Sequence, residues 1–296
     1  MIKTLCLSGG GTKGICYIGA IEYLNENEYL NLENIDTFVG TSAGSILSFF
    51  FSIGFSTDEL KEFVTEFDFK KFEPDTDSIF FLTNFGLDDG NKIITAVKTF
   101  LFEKLNVYDI TFKELFDKTQ KKLKIFTTNY TKSKSEMLSL ETTPDMSVIK
   151  AIRMSMSVPF LFTPVLHNDC YYIDGGITNN FPMRYCDPSE SVGIAIINRE
   201  ENSIGSLQKY LMGVCNLVID SISINQICDN NFIKSKSKYK YFEINCKSRG
   251  TLNFSLTRNN IQTLLDDGME SAKIFLSRNI SNDIINDIID KIEKTD

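Results

Sequence analysis

Apolar and polar residues fall along the chain in blocks that read as strand, turn and helix. Thr4-Leu5-Cys6-Leu7 is a short apolar run followed by glycines, which predicts a buried strand. After the turn Ser8-Gly9-Gly10-Gly11-Thr12-Lys13-Gly14, apolar residues at Ile15, Ile18, Ile21 and Leu24 recur at helical spacing. The unit repeats at once, with a strand over 35–39, the turn Gly40-Thr41-Ser42-Ala43-Gly44, and an apolar helix over 46–53 closed by Gly54. Two such units in succession predict an α/β fold with parallel strands.

Further along, Ser56 with Glu59 and Thr111 with Glu114 have capping-box spacing, so helices are expected to begin there. Residues 91–105 and 147–156 read as helices, 122–130 and 136–140 as paired strands, 171–174 and 191–197 as strands. The last hundred residues are mainly helical, with long candidates over 207–227 and 260–276. At the end Ile280, Ile284, Ile285, Ile288, Ile289 and Ile292 make one apolar stripe, read as a packing face or a membrane-surface face. No internal repeat or Pro/Gly/Ser-rich linker divides the chain.

Composition narrows what such a fold can do. With 296 residues, 42% of them apolar and 24% charged, the chain can bury a large core. Its 31 basic against 39 acidic side chains argue against nucleic-acid binding, which rests on clustered Lys and Arg neutralising phosphates. One histidine rules out a His-rich metal site and routes any Ser-His-Asp chemistry through His167. The cysteines (6, 16, 170, 186, 215, 228 and 246) include no C-x-x-C pair; scattered free thiols suit a reducing compartment. No signal-peptide core and no stretch of about 20 apolar residues is present, so the expectation is an intracellular protein, soluble or peripheral to membranes. No metal and no cofactor are expected.

The chemistry gathers at the turns. Gly40-x-Ser42-x-Gly44 matches a nucleophile elbow, which would hold the Ser42 hydroxyl at a helix N-terminus where developing negative charge is favoured. Gly9-x-Gly11-x-x-Gly14 fits a dinucleotide fingerprint, yet the acidic residue that reading requires about 20 positions on is missing, as is a Walker Gly-Lys-Ser/Thr. The N–H groups of Gly10, Gly11 and Thr12 would instead make an oxyanion hole. For a base the candidates are His167 and a carboxylate. Asp174 ends the strand Tyr171-Tyr172-Ile173-Asp174 before Gly175-Gly176, a place that also suits a plain Asp-Gly turn. His167 lies in a polar connection, Leu166-His167-Asn168-Asp169-Cys170, where a solvent-facing role is the simpler one.

Four blocks in order then resemble the patatin-like phospholipases, acyl hydrolases with a Ser-Asp dyad. They are Gly9 to Gly14; Gly40 to Gly44; Ala151-Ile152-Arg153-Met154-Ser155-Met156-Ser157-Val158-Pro159-Phe160 with Phe162 and Pro164; and Asp174-Gly175-Gly176 followed by Asn179-Asn180-Phe181-Pro182. The resemblance implies a three-layer α/β sandwich, a mostly parallel sheet flanked by helices, with the catalytic core over 1–190 and residues 191–296 continuing it. It implies Ser42 as nucleophile, Asp174 as general base, and Gly10 and Gly11, helped by Gly9 or Thr12, as the oxyanion hole. Gly14, Gly40, Gly44, Gly175 and Gly176 would support these turns. Arg153 is either a packing residue or a head-group contact. Asp-Gly-Gly stands where other members carry Asp-Gly-Ala, a difference without consequence for proton transfer.

The implied substrate is a lipid ester, with transient membrane contact and no nucleic acid; oligomeric state and head group stay open. A catalytically silent lipid-binding module is the alternative, disfavoured because nucleophile, base and oxyanion glycines are all present. The Phe-rich segment Phe67 to Phe85 lacks clean periodicity and is expected to cap an acyl groove. The basic runs 121–124 and 234–240 are expected to be solvated surface or head-group contacts.

Overall fold

The computed structural model describes residues 1–74, 78–197, 204–228, 239–247 and 253–293, with the backbone alone at 78, 208, 228 and 279–293. The first unit is β1 (Thr4–Leu7) and α1 (Ile15–Glu26); the second is β2 (Thr37–Thr41) and α2 (Ala43–Ser52). Helices α3 (Thr57–Glu66) and α4 (Ser78–Asn84), strand β3 (Gly86–Asp88), and helices α5 (Asn91–Leu105) and α6 (Phe112–Thr119) follow. Both expected capping boxes are formed, at Ser56–Glu59 and Thr111–Glu114.

Next come β4 (Lys122–Asn129), β5 (Lys134–Ser139), α7 (Val148–Ser155), β6 (Phe160–Phe162), β7 (Val165–His167), β8 (Cys170–Asp174) and the short α8 (Gly176–Asn179). The chain ends with β9 (Ser191–Ile196), α9 (Leu207–Cys228), β10 (Lys240–Ile244) and α10 (Arg258–Glu293). The sequence pattern does not announce β3, β6, β7 or β10. Each is only three to five residues long, too short for a period to show. The Ile280–Ile292 stripe lies among side chains outside the described residues.

Eight strands form one sheet in the order β10-β9-β1-β2-β4-β8-β7, with β5 also on β4. The run β10-β9-β1-β2-β4 is parallel, whereas β5, β8 and β7 join antiparallel. Helices cover both faces, so the central strands are buried from their second residue onward, as parallel strands must be. Helix α1 shows the same logic. Its spacing suggests one apolar face, but α10 packs along it opposite the sheet, and Ile15–Glu22 are all buried.

One register decides where the site falls. β4 carries β5 along one edge for its whole second half, so β2 and β8 must share the other edge. β2 runs parallel to β4 and ends with Thr41 opposite Phe126; β8 runs antiparallel and ends with Asp174 opposite Thr127. The two strands therefore point their C-terminal ends at each other on adjacent residues of β4. The residue after Thr41 is Ser42.

Candidate active site

Ser42 stands between β2 and α2 with φ 51° and ψ −122°, a left-handed conformation that strains a non-glycine residue by about 1–3 kcal/mol. The elbow leaves no room beside it: a Cβ on Gly40 would lie 2.4 Å from the Gly44 carbonyl oxygen. A Cβ on Gly44 would lie 2.5 Å from the carbonyl oxygens of both Leu7 and Ser8. The Ser42 hydroxyl does not cap α2, so it is free for other work. Its amide donates to Ser155 Oγ at 2.8 Å, and Ser155 Oγ donates to the Phe126 carbonyl at 2.6 Å. The Ser155 carbonyl in turn accepts from Gly175 N–H at 3.2 Å, and the Ser157 carbonyl from Asp174 N–H at 2.8 Å. The end of α7 thus fastens the two converging strand ends together.

Asp174 is 1% exposed. Its Oδ1 accepts from Gly176 N–H at 2.7 Å, while Oδ2 has no hydrogen-bond partner. Burial pushes the carboxyl up to about 6; the Ser42 hydroxyl and the Gly176 amide pull it partly back. The hydroxyl is therefore near enough to favour the carboxylate without yet closing a full hydrogen bond on it, as is common before substrate binds.

Gly9, Gly10 and Gly11 line a narrow cleft of about 30 Å³ together with Ser42, Asp174, Asn180 and, from α9, Asn216 and Asp220, with Val158, Ile196 and Ile219 as its apolar wall. Gly9 donates its N–H to the Asn180 carbonyl at 3.2 Å, so that amide is already committed. The amides of Gly10 and Gly11 have no partner among the described residues, and Gly11 takes φ 56°, which favours glycine. Thr12 and Gly14 belong to the turn Gly11–Gly14 and line a second, apolar cavity instead. The glycine loop is held from below: Tyr17 donates its hydroxyl to the Ser8 carbonyl at 2.6 Å, and Ser8 Oγ accepts from Ile196 N–H at 2.9 Å. Gly175 follows Asp174 against Thr41, and Gly176 opens α8.

The apolar cavity, about 160 Å³, is lined at one end by Ser42 and Ala43. Its walls include Ile46, Phe50, Phe63, Phe100, Val158 and Phe254. Phe69 and Phe72, from the Phe-rich segment expected to be a cap, are also wall residues. Beyond residues 75–77, which lie outside the described residues, α4 leaves Ile79 and Leu82 exposed, and Phe85 follows them into solvent.

His167 lies elsewhere. It pairs with Cys170 at the start of β8, roughly 13 Å along the strand from Asp174. Its Nδ1 faces Lys150 Nζ at 2.9 Å, and burial and that lysine both lower its pKa. His167→Ala should therefore keep ester hydrolysis within about twofold of the parent, read as kcat/KM on a soluble ester.

Arg153 is a packing residue: Nε donates to the Asp89 carbonyl at 2.8 Å, Nη1 to Ser157 Oγ at 2.5 Å, and Nη2 to the Thr163 carbonyl at 2.9 Å. Lys121 likewise donates Nζ to the Glu33 and Ile35 carbonyls, both at 2.7 Å. Of the second basic run, Lys234 to Lys238 lie outside the described residues and Lys240 opens β10.

The pattern of blocks did not single out Ser8, Tyr17 and Ser155 for any role, nor the α9 residues Asn216, Asp220, Ser223 and Gln226. Only Ser155 sits inside a recognisable block; the others reach the site through long-range packing.

A glycine-flanked serine on a strand-to-helix elbow, set in a sheet flanked by helices, is the arrangement of an α/β protein built for hydrolysis. More particularly, residues 5–187 match the model of the patatin-like phospholipases, and the chain belongs to that family. It is 30% identical over 281 residues to an uncharacterized protein of Acanthamoeba polyphaga mimivirus, covering 92% of this chain and 93% of that one. It is 36% identical over 188 residues to a probable lipid hydrolase of Invertebrate iridescent virus 6, covering 61% and 62%. Among solved structures, VipD from Legionella pneumophila superposes with TM-score 0.60 at 18% identity, covering 94% of this chain and 67% of that one. The type III effector ExoU superposes with TM-score 0.51 at 15% identity, covering 94% and 53%. At those identities the likeness is one of fold. No helix among the described residues is long and apolar enough to cross a membrane.

Proposed function

We propose that the protein is a serine acyl hydrolase of the phospholipase A type, cleaving fatty-acyl esters in lipid catabolism or membrane remodelling. The observation that carries this reading is the position of Ser42 at the junction of two unlike spaces. On one side is the apolar cavity; on the other is a narrower, more polar cleft with Asp174 and the free amides of Gly10 and Gly11. An acyl chain fills the first and places its ester carbonyl over the serine, with the alcohol portion in the second.

Asp174 takes the Ser42 proton as Oγ attacks the carbonyl carbon. A carboxyl near 6 is a far better base than an exposed aspartate, and it needs no imidazole. Negative charge growing on the carbonyl oxygen is met by the Gly10 and Gly11 amides and by the N-terminus of α2. Asp174 returns the proton to the departing alcohol, leaving an acyl group on Ser42. Water activated by Asp174 then releases the fatty acid.

Residues 1–190 and 191–296 are read as one unit, because β9 lies between β1 and β10 in the same sheet and α9 lines the cleft. Membrane contact is read as transient, through α4. Ile79, Leu82 and Phe85 are 74, 72 and 68% exposed, and β3, next to them, pairs with β6, whose Phe162 lines the cavity. The double change Leu82→Asp and Phe85→Asp should lower turnover on zwitterionic vesicles about fivefold or more while leaving a short soluble ester unaffected. Equal rates on both substrates would remove α4 from the membrane contact.

The decisive assay for the activity is incubation with a panel of lipid esters followed by mass spectrometry, with a fluorophosphonate probe mapped by peptide mass. Free fatty acid release and an adduct on Ser42 are expected; label elsewhere, or none, would sink the reading.

A further inference from the structure

Asn180 carries a second buried acceptor in the cleft. It is 2% exposed, and its Oδ1, like Asp174 Oδ2, has no hydrogen-bond partner. The orientation of the amide is set by its neighbour. Ser223 on α9 donates its hydroxyl to the Ile219 carbonyl at 2.8 Å, so towards Asn180 its oxygen can only accept. Asn180 Nδ2 donates to it at 2.8 Å, which fixes Oδ1 as the end left over. That oxygen is wedged between the two catalytic turns: it would lie 2.3 Å from a Cβ built on Gly9 and 2.8 Å from one built on Gly176. The main chain around it is pinned as well. Gly9 N–H donates to the Asn180 carbonyl, Gln226 Oε1 accepts from Phe181 N–H at 2.9 Å, and Gln226 Nε2 donates to Asn179 Oδ1 at 2.6 Å.

Once Ser42 is acylated it has no proton left to give Asp174, and the narrow cleft beside it then holds two buried acceptors without donors, which call for a ligand with two protons to give. We propose that Asn180 is a catalytic residue of the second half-reaction: its Oδ1 and Asp174 Oδ2 together accept the two hydrogens of the hydrolytic water. This rests on the Ser42–Asp174 reading.

The water then has one orientation, with a lone pair free to face the acyl carbon. Its oxygen bonds to that carbon as Asp174 Oδ2 takes one proton. Asn180 Oδ1 keeps the other in a hydrogen bond and takes no charge. When the tetrahedral intermediate collapses, the carbon–Oγ bond breaks, Ser42 Oγ recovers the proton from Asp174, and the fatty acid leaves. Acylation needs none of this, because the serine hydroxyl has a single proton to give and gives it to Asp174. An alcohol attacking the acyl-enzyme is in the same position: it too has one hydrogen and has no use for Asn180.

That asymmetry supplies a test that a purely structural role would not pass. With a p-nitrophenyl ester in the presence of methanol, Asn180→Ala should keep the nitrophenol burst while steady-state hydrolysis falls roughly tenfold or more. The ratio of methyl ester to free acid should rise by a similar factor. A folded Asn180→Ala variant with an unchanged product ratio, or with the burst lost in step with turnover, overturns the proposal. Ser223→Ala removes the acceptor that orients the amide without touching the cleft, and should shift the ratio in the same direction by a smaller factor. Should Asn180→Ala fail to fold, the Ser223→Ala ratio decides, an unchanged value counting against. Ser42→Ala run beside them separates the two readings: a burst that survives it defeats the nucleophile assignment, whereas its loss leaves the water assignment to stand or fall on the ratio.

Discussion

Ser42→Ala should lower lipid ester hydrolysis by roughly 10⁴- to 10⁶-fold, the range seen when the nucleophile of a serine hydrolase is removed. The fold itself should survive. The Ser42 side chain makes no capping bond with α2, and its amide bond to Ser155 Oγ belongs to the backbone. The variant is therefore expected to unfold within about 1 kcal/mol of the parent, checked by denaturant titration beside the rate measurement. Retention of more than a hundredth of the parent rate would mean that another group carries the acyl transfer. The lone His167 does not qualify, since it lies at the far end of β8 against Lys150.

Asp174→Asn should cost about 10⁴-fold in kcat/KM and at the same time make the protein more stable at neutral pH. The sign follows from the buried carboxyl. Its pKa rises from an ordinary 3.8 to about 6 on folding, so the folded state holds the proton more tightly than the unfolded state. Below about pH 4 both states are protonated and the group is neutral towards stability. Between about 4 and 6 the unfolded chain ionises first, and above 6 the folded protein carries a buried charge worth about 3 kcal/mol of lost stability. Asparagine keeps an oxygen for the Gly176 N–H and carries no charge. The difference in unfolding free energy between variant and parent should thus be near zero at pH 3.5 and reach about 3 kcal/mol by pH 7. In the parent the same titration sets the acid limb of activity: kcat/KM should fall about tenfold per pH unit below about 6, because a protonated Asp174 cannot accept the serine proton. A stability gain without loss of activity would show the carboxylate to be buried for some other purpose.

Such an opposition between activity and stability is expected of a catalytic site. A strained φ at Ser42 and a desolvated Asp174 both lower stability, and both are held by surrounding bonds, Ser155 with the first and the Ser157 carbonyl and Gly176 amide with the second.

Much of this was legible in the chain itself. Gly40-x-Ser42-x-Gly44 states an elbow because its glycines are dictated by contacts only a few residues away in sequence or on the next strand. The strand–turn–helix order, the capping boxes at Ser56 and Thr111, and the scarcity of histidine needed no coordinates either. The four ordered blocks were enough to indicate the family. Less was visible wherever the pattern was short or mixed: β10 looked like part of a basic run, and the spacing of the Phe-rich segment did not show that Phe69 and Phe72 line the cavity beside Ser42.

Local spacing by itself determined the elements and the elbow that carries Ser42, since helix and strand periods and turn sterics act over a few residues, while Asp174 was set apart from a plain Asp-Gly turn only by the resemblance of the four blocks. Bringing those groups together across 132 positions of sequence was decided only by tertiary structure, through β2 and β8 meeting end to end on one edge of β4. The raised Asp174 carboxyl, the Gly9 amide already spent on Asn180, and the Ser223 contact from beyond the matched region were decided the same way. The physical reason is common to all of them: burial, strand register and hydrogen-bond partners belong to residues that meet in space, and no local period encodes which distant residue will arrive.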